Sequence, residues 1–254
     1  MAAQPSGDGG RFHIVSPMLE SVALSKAAGT KVYMKLENVQ PTGSFKIRGI
    51  GYIPLRHGVP GGWSPSVALS CAGGNAGLAT AYAARKLGLP ATVVVPSSAG
   101  PMTVRKLHEL GAHVEVSGKV WDDAHERAEE LAKTEGFVSI HPFDHPLICL
   151  HAALEAGRLV SLPDITRAVP AGIAHFGGPG GCVGTPTMPH LAAGMGKGLC
   201  PCPPSPRSLR SVAKCLGAKT VSARALQCAQ ELRVISQVVE NAEAVQAIEQ
   251  FLGE

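Results

Sequence analysis

The spacing of apolar residues changes period several times along this chain. In KVYMKLEN (31–38), Val32, Met34 and Leu36 alternate with more polar neighbours, the two-residue period of a half-buried strand. From about residue 66 a longer unit repeats. SVALS (66–70) reads as a buried strand, and LATAYAARKLG (78–88) as a helix closed by Gly88 and Pro90. ATVVVP (91–96) predicts a strand, MTVRKLHELG (102–111) a helix and HVEVSG (113–118) a strand. DDAHERAEELAKTEG (122–136) predicts a charged amphipathic helix and FVSI (137–140) the next strand. Strands alternating with helices of this length imply a parallel sheet with right-handed crossovers, an open α/β layer structure that binds ligands at the carboxyl ends of its strands. The closing EAVQAIEQFLGE (243–254) is amphipathic at helical spacing and is expected to pack against its own domain.

Two corners of this pattern carry candidate chemistry. In QPTGSFKIRGIG (40–51), Pro41, Thr42 and Gly43 supply turn chemistry, and Ser44 is a good N-cap for a helix starting at Phe45. Lys46 then sits in the first turn, where the helix dipole disfavours a cation by roughly 0.3–1 kcal/mol. Burial would push it further towards the neutral amine, the form that condenses with a carbonyl. On spacing alone, a solvent-exposed lysine near a cap is the other reading. The second corner is Cys71-Ala72-Gly73-Gly74-Asn75-Ala76-Gly77, between a strand and a helix. Its backbone N–H groups could receive an anion and Asn75 could offer an amide, or the glycines could serve close packing only.

Composition narrows the classes. At 254 residues with 45% hydrophobic content, one or two domains with a real core can form. A net charge of +4 with only 4% aromatics gives neither the basic patch nor the stacking platform of a nucleic-acid binder. No basic region followed by an apolar run opens the chain and no eighteen apolar residues run together, so no membrane is expected and a cytoplasmic location is the default. Seven irregularly spaced cysteines fit reduced thiols. His141, His145, Cys149 and His151 lie close in sequence, but their spacing is irregular, and no metal is expected. Cys200 and Cys202 have no second pair. Asp122 and Asp123 favour the positive end of the helix they open.

Taken together, the corner QPTGSFKIRG and the later GGNAG-helix-LGLPATVVVP resemble the fold-type-II pyridoxal-phosphate enzymes, which share the tryptophan-synthase-β-like fold. Within them the chain is similar to the serine and threonine dehydratases, through SPMLES, ENVQPTGSFKIRGIG, AYAARKLG, GKVWDDA and HPFDHPLI. The likeness runs from residue 12 to about 148 and resumes at 151–166 and 211–226. It implies that Lys46 forms the Schiff base with pyridoxal 5'-phosphate and moves the Cα proton. Phe45 packs on the cofactor ring and Asn75 hydrogen-bonds its 3-hydroxyl, while Ala72, Gly73, Gly74, Asn75 and Ala76 receive the substrate carboxylate. The implied reaction is β-elimination of water from L-serine, and by extension L-threonine, with hydrolysis of the aminoacrylate product giving a 2-oxo acid and ammonia. A cytoplasmic homodimer acting on a small amino acid is implied as well.

The likeness also divides the chain. Residues 1–40 would begin a large domain, 41–145 form a small α/β domain carrying the lysine and the asparagine loop, and 146–166 and 211–254 be remnants of the large domain. Residues 167–210, about two-fifths glycine plus proline, would be an irregular or disordered insertion. Three departures stand out. Cys71-Ala72 replaces the Ser-Ser usual in relatives, removing a hydroxyl near the substrate. After HPLI the chain passes to CLHAALEAGRL without the run of four glycines that wraps the cofactor phosphate in relatives, and GGPGG (177–181) falls in the wrong chain order with Pro179 lacking an amide donor. A late CGG strand that faces the pyridine nitrogen in relatives has no counterpart. Against the lyase stands a catalytically silent relative serving as an interaction or dimerisation module.

Overall fold

A computed structural model describes residues 12–52, 67–69, 74–135, 137–142, 145, 175–176, 192–193 and 241–252. The chain divides into two compact units. One comprises residues 1–14 and 37–155, and the other 15–36 and 156–254.

In the first unit, β3 (Val67–Leu69), β4 (Ala91–Val95) and β5 (His113–Val116) form a sheet in that order, with both pairings parallel. The expected α/β architecture is thus present, with α3 (Asn75–Leu87), α4 (Pro101–Glu109) and α5 (Trp121–Glu135) following the three strands. The uninterrupted Val93-Val94-Val95 follows from burial of β4 on both faces. Alternate side chains point to opposite sides, so Val93 and Val95 join the core with α3 and α4 while Val94 meets Ala124, Ala128 and Leu131 of α5.

Local chemistry sets the element ends. Alanine-rich α3 has high helix propensity and buries most of its circumference, from Ala76 to Ala84. It stops at Gly88, whose φ of +68° suits glycine, and Leu89 N–H returns to the Ala84 carbonyl at 2.9 Å. Pro101 opens α4, where its missing N–H leaves no helical bond unmade. At the start of α5 the Asp123 carboxylate accepts from Lys119 N at 2.7 Å and Val120 N at 3.2 Å, so one of the two aspartates expected at the positive end of this helix also fastens the preceding loop. FVSI differs from expectation: residues 137–140 join no sheet ladder, although Ile140 is buried in the main core.

The short helix α2 (Lys46–Ile50) packs against α3, with Ile47 and Ile50 fully buried. It begins one residue later than the sequence suggests, and Ser44 does not cap it. Phe45 occupies the cap position in right-handed helical geometry, φ −60° and ψ −16°, with no side-chain hydrogen bond. An N-cap needs extended backbone to fold its side chain over the first turn, and that geometry is absent here.

In the second unit, β1 (Met18–Ser21) pairs antiparallel with β2 (Val32–Lys35), linked by α1 (Val22–Ala28). Ser21 caps α1, accepting from Leu24 N at 3.0 Å. Two further short strands, β6 (His175–Phe176) and β7 (Ala192–Ala193), pair in parallel. Helix α6 (Asn241–Leu252) forms where amphipathic spacing predicts it, but Val245 and Ile248 are exposed rather than packed.

Candidate active site around Lys46

The turn before Lys46 is built as its residue types suggest. Gly43 N–H donates to the Gln40 carbonyl at 2.7 Å across Pro41 and Thr42, and Gly43 adopts φ +73°. This turn delivers Phe45 and Lys46 to the start of α2. Lys46 Nζ donates to the Pro142 carbonyl at 2.8 Å and lies 5.4 Å from the centroid of the Phe45 ring. The amine is therefore part-buried, engaged by one carbonyl, and beside an aromatic face.

Topology locates this amine. Strands β3 to β5 are parallel, so their carboxyl ends share one edge of the sheet. Helix α3, which opens at Asn75, follows β3 in the chain, and α5 begins just beyond the end of β5. Trp121 and His125, in the first turns of α5, hold His141: the Trp121 and His125 rings stack at 4.8 Å, and His141 meets them edge-on at 5.9 Å and 5.2 Å. Pro142, next in sequence, receives Lys46. The amine thus belongs to the edge from which α5 begins, the carboxyl edge where open α/β sheets bind ligands.

Electrostatics around the amine are set by these histidines. Burial is the main force holding His141 down at about 4, with the cationic forms of His125, Lys46 and His145 adding to it and Glu129 opposing. A neutral imidazole therefore faces the lysine at neutral pH. Thr42 Oγ1 and Ser44 Oγ are buried without a hydrogen-bond partner among the described residues, two polar atoms available in the turn that carries Lys46.

Of the expected site residues, Phe45 and Lys46 are side by side. Gly74 takes the cap position of α3, Asn75 is its exposed first residue and Ala76 is buried beneath it. Ala72, Gly73 and Cys71 lie outside the described residues, as do GGPGG, Cys149, His151, Cys200 and Cys202. Among the described residues no three histidine, cysteine or acidic side chains are placed to share a metal, and no helix is long and apolar enough to cross a membrane. Sequence reasoning missed Pro142 as the partner of the lysine, and Trp121 and His125 as the rings that contact His141 next to it. A cavity of about 330 Å³ lined by Ala81, Arg85, Leu89 and Gly111 lies where the strands begin, at the opposite edge.

An amine beside an aromatic face, with orphan hydroxyls nearby, fits the aldehyde-and-ring half of pyridoxal phosphate, whereas the four-glycine run expected at its phosphate is absent from the sequence. A family model for "Pyridoxal-phosphate dependent enzyme" matches residues 11–254. The human protein called serine dehydratase-like is 44% identical over 265 residues, covering 96% of this chain and 77% of its own. Human L-serine dehydratase/L-threonine deaminase is 41% identical over 267 residues, covering 96% of this chain and 78% of its own. A fungal L-serine ammonia-lyase from Rhizomucor miehei has a similar fold, with TM-score 0.71 at 22% identity over 95% of this chain and 81% of that one.

Proposed function

Because the chain belongs to the pyridoxal-phosphate-dependent enzymes, we propose that it eliminates water from L-serine, and from L-threonine, and that hydrolysis of the resulting enamine returns one water and releases ammonia, leaving a 2-oxo acid. The observation that carries this reading is the part-buried Lys46 amine, set beside Phe45 at the ligand-binding edge of the sheet. Relatives named for serine dehydration and threonine deamination, more than 40% identical over nearly the whole chain, support the substrate class.

When bound, the cofactor supplies an aldehyde for the amine and an electron-withdrawing ring that stabilises charge developing at Cα. Lys46 would hold the cofactor through its amine, and the free Nζ would take the Cα proton. The Pro142 carbonyl gives the freed amine an acceptor. Phe45 would cover one face of the ring, and Asn75 at the start of α3 would offer its amide to the ring's hydroxyl. Ala72, Gly73, Gly74, Asn75 and Ala76 would receive the substrate carboxylate, the last three of them at the N-terminus of α3. The neutral His141 adds no positive charge against the amine.

Residues 41–145 form the small domain in this account. Residues 1–40, 146–166 and 211–254 belong to the large one, with 167–210 inserted. A cytoplasmic homodimer is the assembly proposed. A silent relative acting as a binding or dimerisation module is the second reading, favoured by Cys71-Ala72 and by the lack of any run of four glycines in the sequence. Losing three or four amide contacts to a phosphate would weaken cofactor binding by about 5 kcal/mol, thousands-fold in affinity. Purified protein given pyridoxal phosphate and L-serine separates the two. Release of a 2-oxo acid, abolished in Lys46→Ala, supports the lyase; a cofactor-saturated protein that releases none from either amino acid supports the module.

A further inference from the structure

We propose that Arg48 and Glu37 are positioning residues that fix the direction of the Lys46 amine, through a buried charged network behind α2. This deepens the reading of Lys46 as the amine that condenses with the cofactor, and rests on it.

Helix α2 has five residues, too few to hold itself in water, and no side chain caps its start. What orients Lys46 must therefore come from contacts of α2 with the rest of its unit. Ile47 and Ile50 supply the apolar part. The polar part is Arg48, whose side chain is only 3% exposed. Its guanidinium grips Glu37 with both arms, Nε to Oε2 and Nη2 to Oε1, each at 2.8 Å. Nη2 also donates to the Ile14 carbonyl at 3.3 Å. Gln40 closes the network: its amide nitrogen donates to Glu37 Oε2 at 3.2 Å and to the Ile14 carbonyl at 2.9 Å, while its oxygen accepts from Ile14 N at 3.0 Å.

Geometry links this network to the amine. Two residues along a helix turn the side chain by about 200°, so Lys46 and Arg48 leave α2 on nearly opposite sides. Arg48 is fastened to Glu37 and Ile14 on one side, and Lys46 reaches Pro142 on the other. A planar fork gripping a carboxylate at two points resists rotation of the helix, which a single contact would not. Gln40 also accepts the closing bond of the turn at Gly43, so one network holds both the turn and the helix that present the lysine.

The test uses full-length Arg48→Lys, Arg48→Met and Glu37→Gln, with two readouts on the same protein. First, cofactor-free protein is treated with a small amine-acylating reagent, and Lys46 labelling is measured against exposed Lys106. In the wild type Lys46 should label several-fold more slowly than Lys106, and in the variants the ratio should move towards one. Second, borohydride trapping with pyridoxal phosphate at Lys46 should fall by about tenfold or more, because a misdirected amine condenses poorly. General access rising while productive condensation falls is a pattern that stability loss alone does not give in a protein that still melts cooperatively. Variants that keep both readouts within twofold of wild type overturn the proposal. So does loss of folding in all three, which would assign the pair to stability only. If wild-type protein shows no trapping at all, the lyase reading fails by itself, and the labelling ratio still reports on positioning.

Discussion

His141 should make this protein lose stability in mild acid. Its ring meets the stacked rings of Trp121 and His125 of α5 edge-on and feels the charges of Lys46 and His145, with Glu129 the acidic group acting on it; its pKa is lowered from 6.5 to about 4. A histidine whose folded value lies below its unfolded value leaves the unfolded chain holding more protons between the two, so stability is lost as pH falls from 6.5 towards 4. Taking those values at pH 5, the unfolded state gains RT ln[(1 + 10^1.5)/(1 + 10^−1)], about 2 kcal/mol relative to pH 7.5. Partial solvent access reduces this to about 1–2 kcal/mol. The assay is urea unfolding at pH 7.5 and pH 5 for wild type and His141→Phe, which keeps an aromatic ring against Trp121 and removes the titration. The wild type should lose about 1–2 kcal/mol more than the variant over that interval. An equal loss in both proteins would refute the placement of His141 in a low-dielectric contact beside cations.

Two substitutions test the scaffold behind the site. Gly43→Ala forces a Cβ onto a residue at φ +73° with open space around it, so the effect is backbone strain alone, about 1–2 kcal/mol of stability, read by thermal melting; an unchanged melting temperature contradicts the turn. Leu107→Ala empties a fully buried position between α4 and the sheet and should lower denaturant stability by about 2–5 kcal/mol, whereas a loss under 1 kcal/mol would place α4 off the core.

Much of the first unit was legible because β4 and its neighbours are short apolar runs bounded by glycine and proline, and α3, α4 and α5 each carry a stop or start residue that acts as its chemistry suggests. FVSI was misread because an apolar run declares burial, which Ile140 has, while ladder membership depends on a partner strand that composition does not reveal. Ser44 was misread as a cap because residue type names a candidate, and the backbone at Phe45 decides. The lysine's surroundings were the least legible part. Glu37 and Arg48 are eleven residues apart, His125 and His141 sixteen, and Lys46 and Pro142 ninety-six, and each pair spans a break between elements, across which no helical or strand period carries. Such contacts exist only once the sheet has brought its carboxyl edge together. The two loops were identifiable through their resemblance to a family, and the polar network behind them was not.

The most direct measurement is to mix the protein with pyridoxal phosphate, reduce the mixture with borohydride, and map the modified peptide. A single phosphopyridoxyl group on Lys46, with the accompanying visible absorbance lost in Lys46→Ala, is the result predicted here. Modification spread over exposed lysines such as Lys86 and Lys106, with Lys46 untouched, would contradict it.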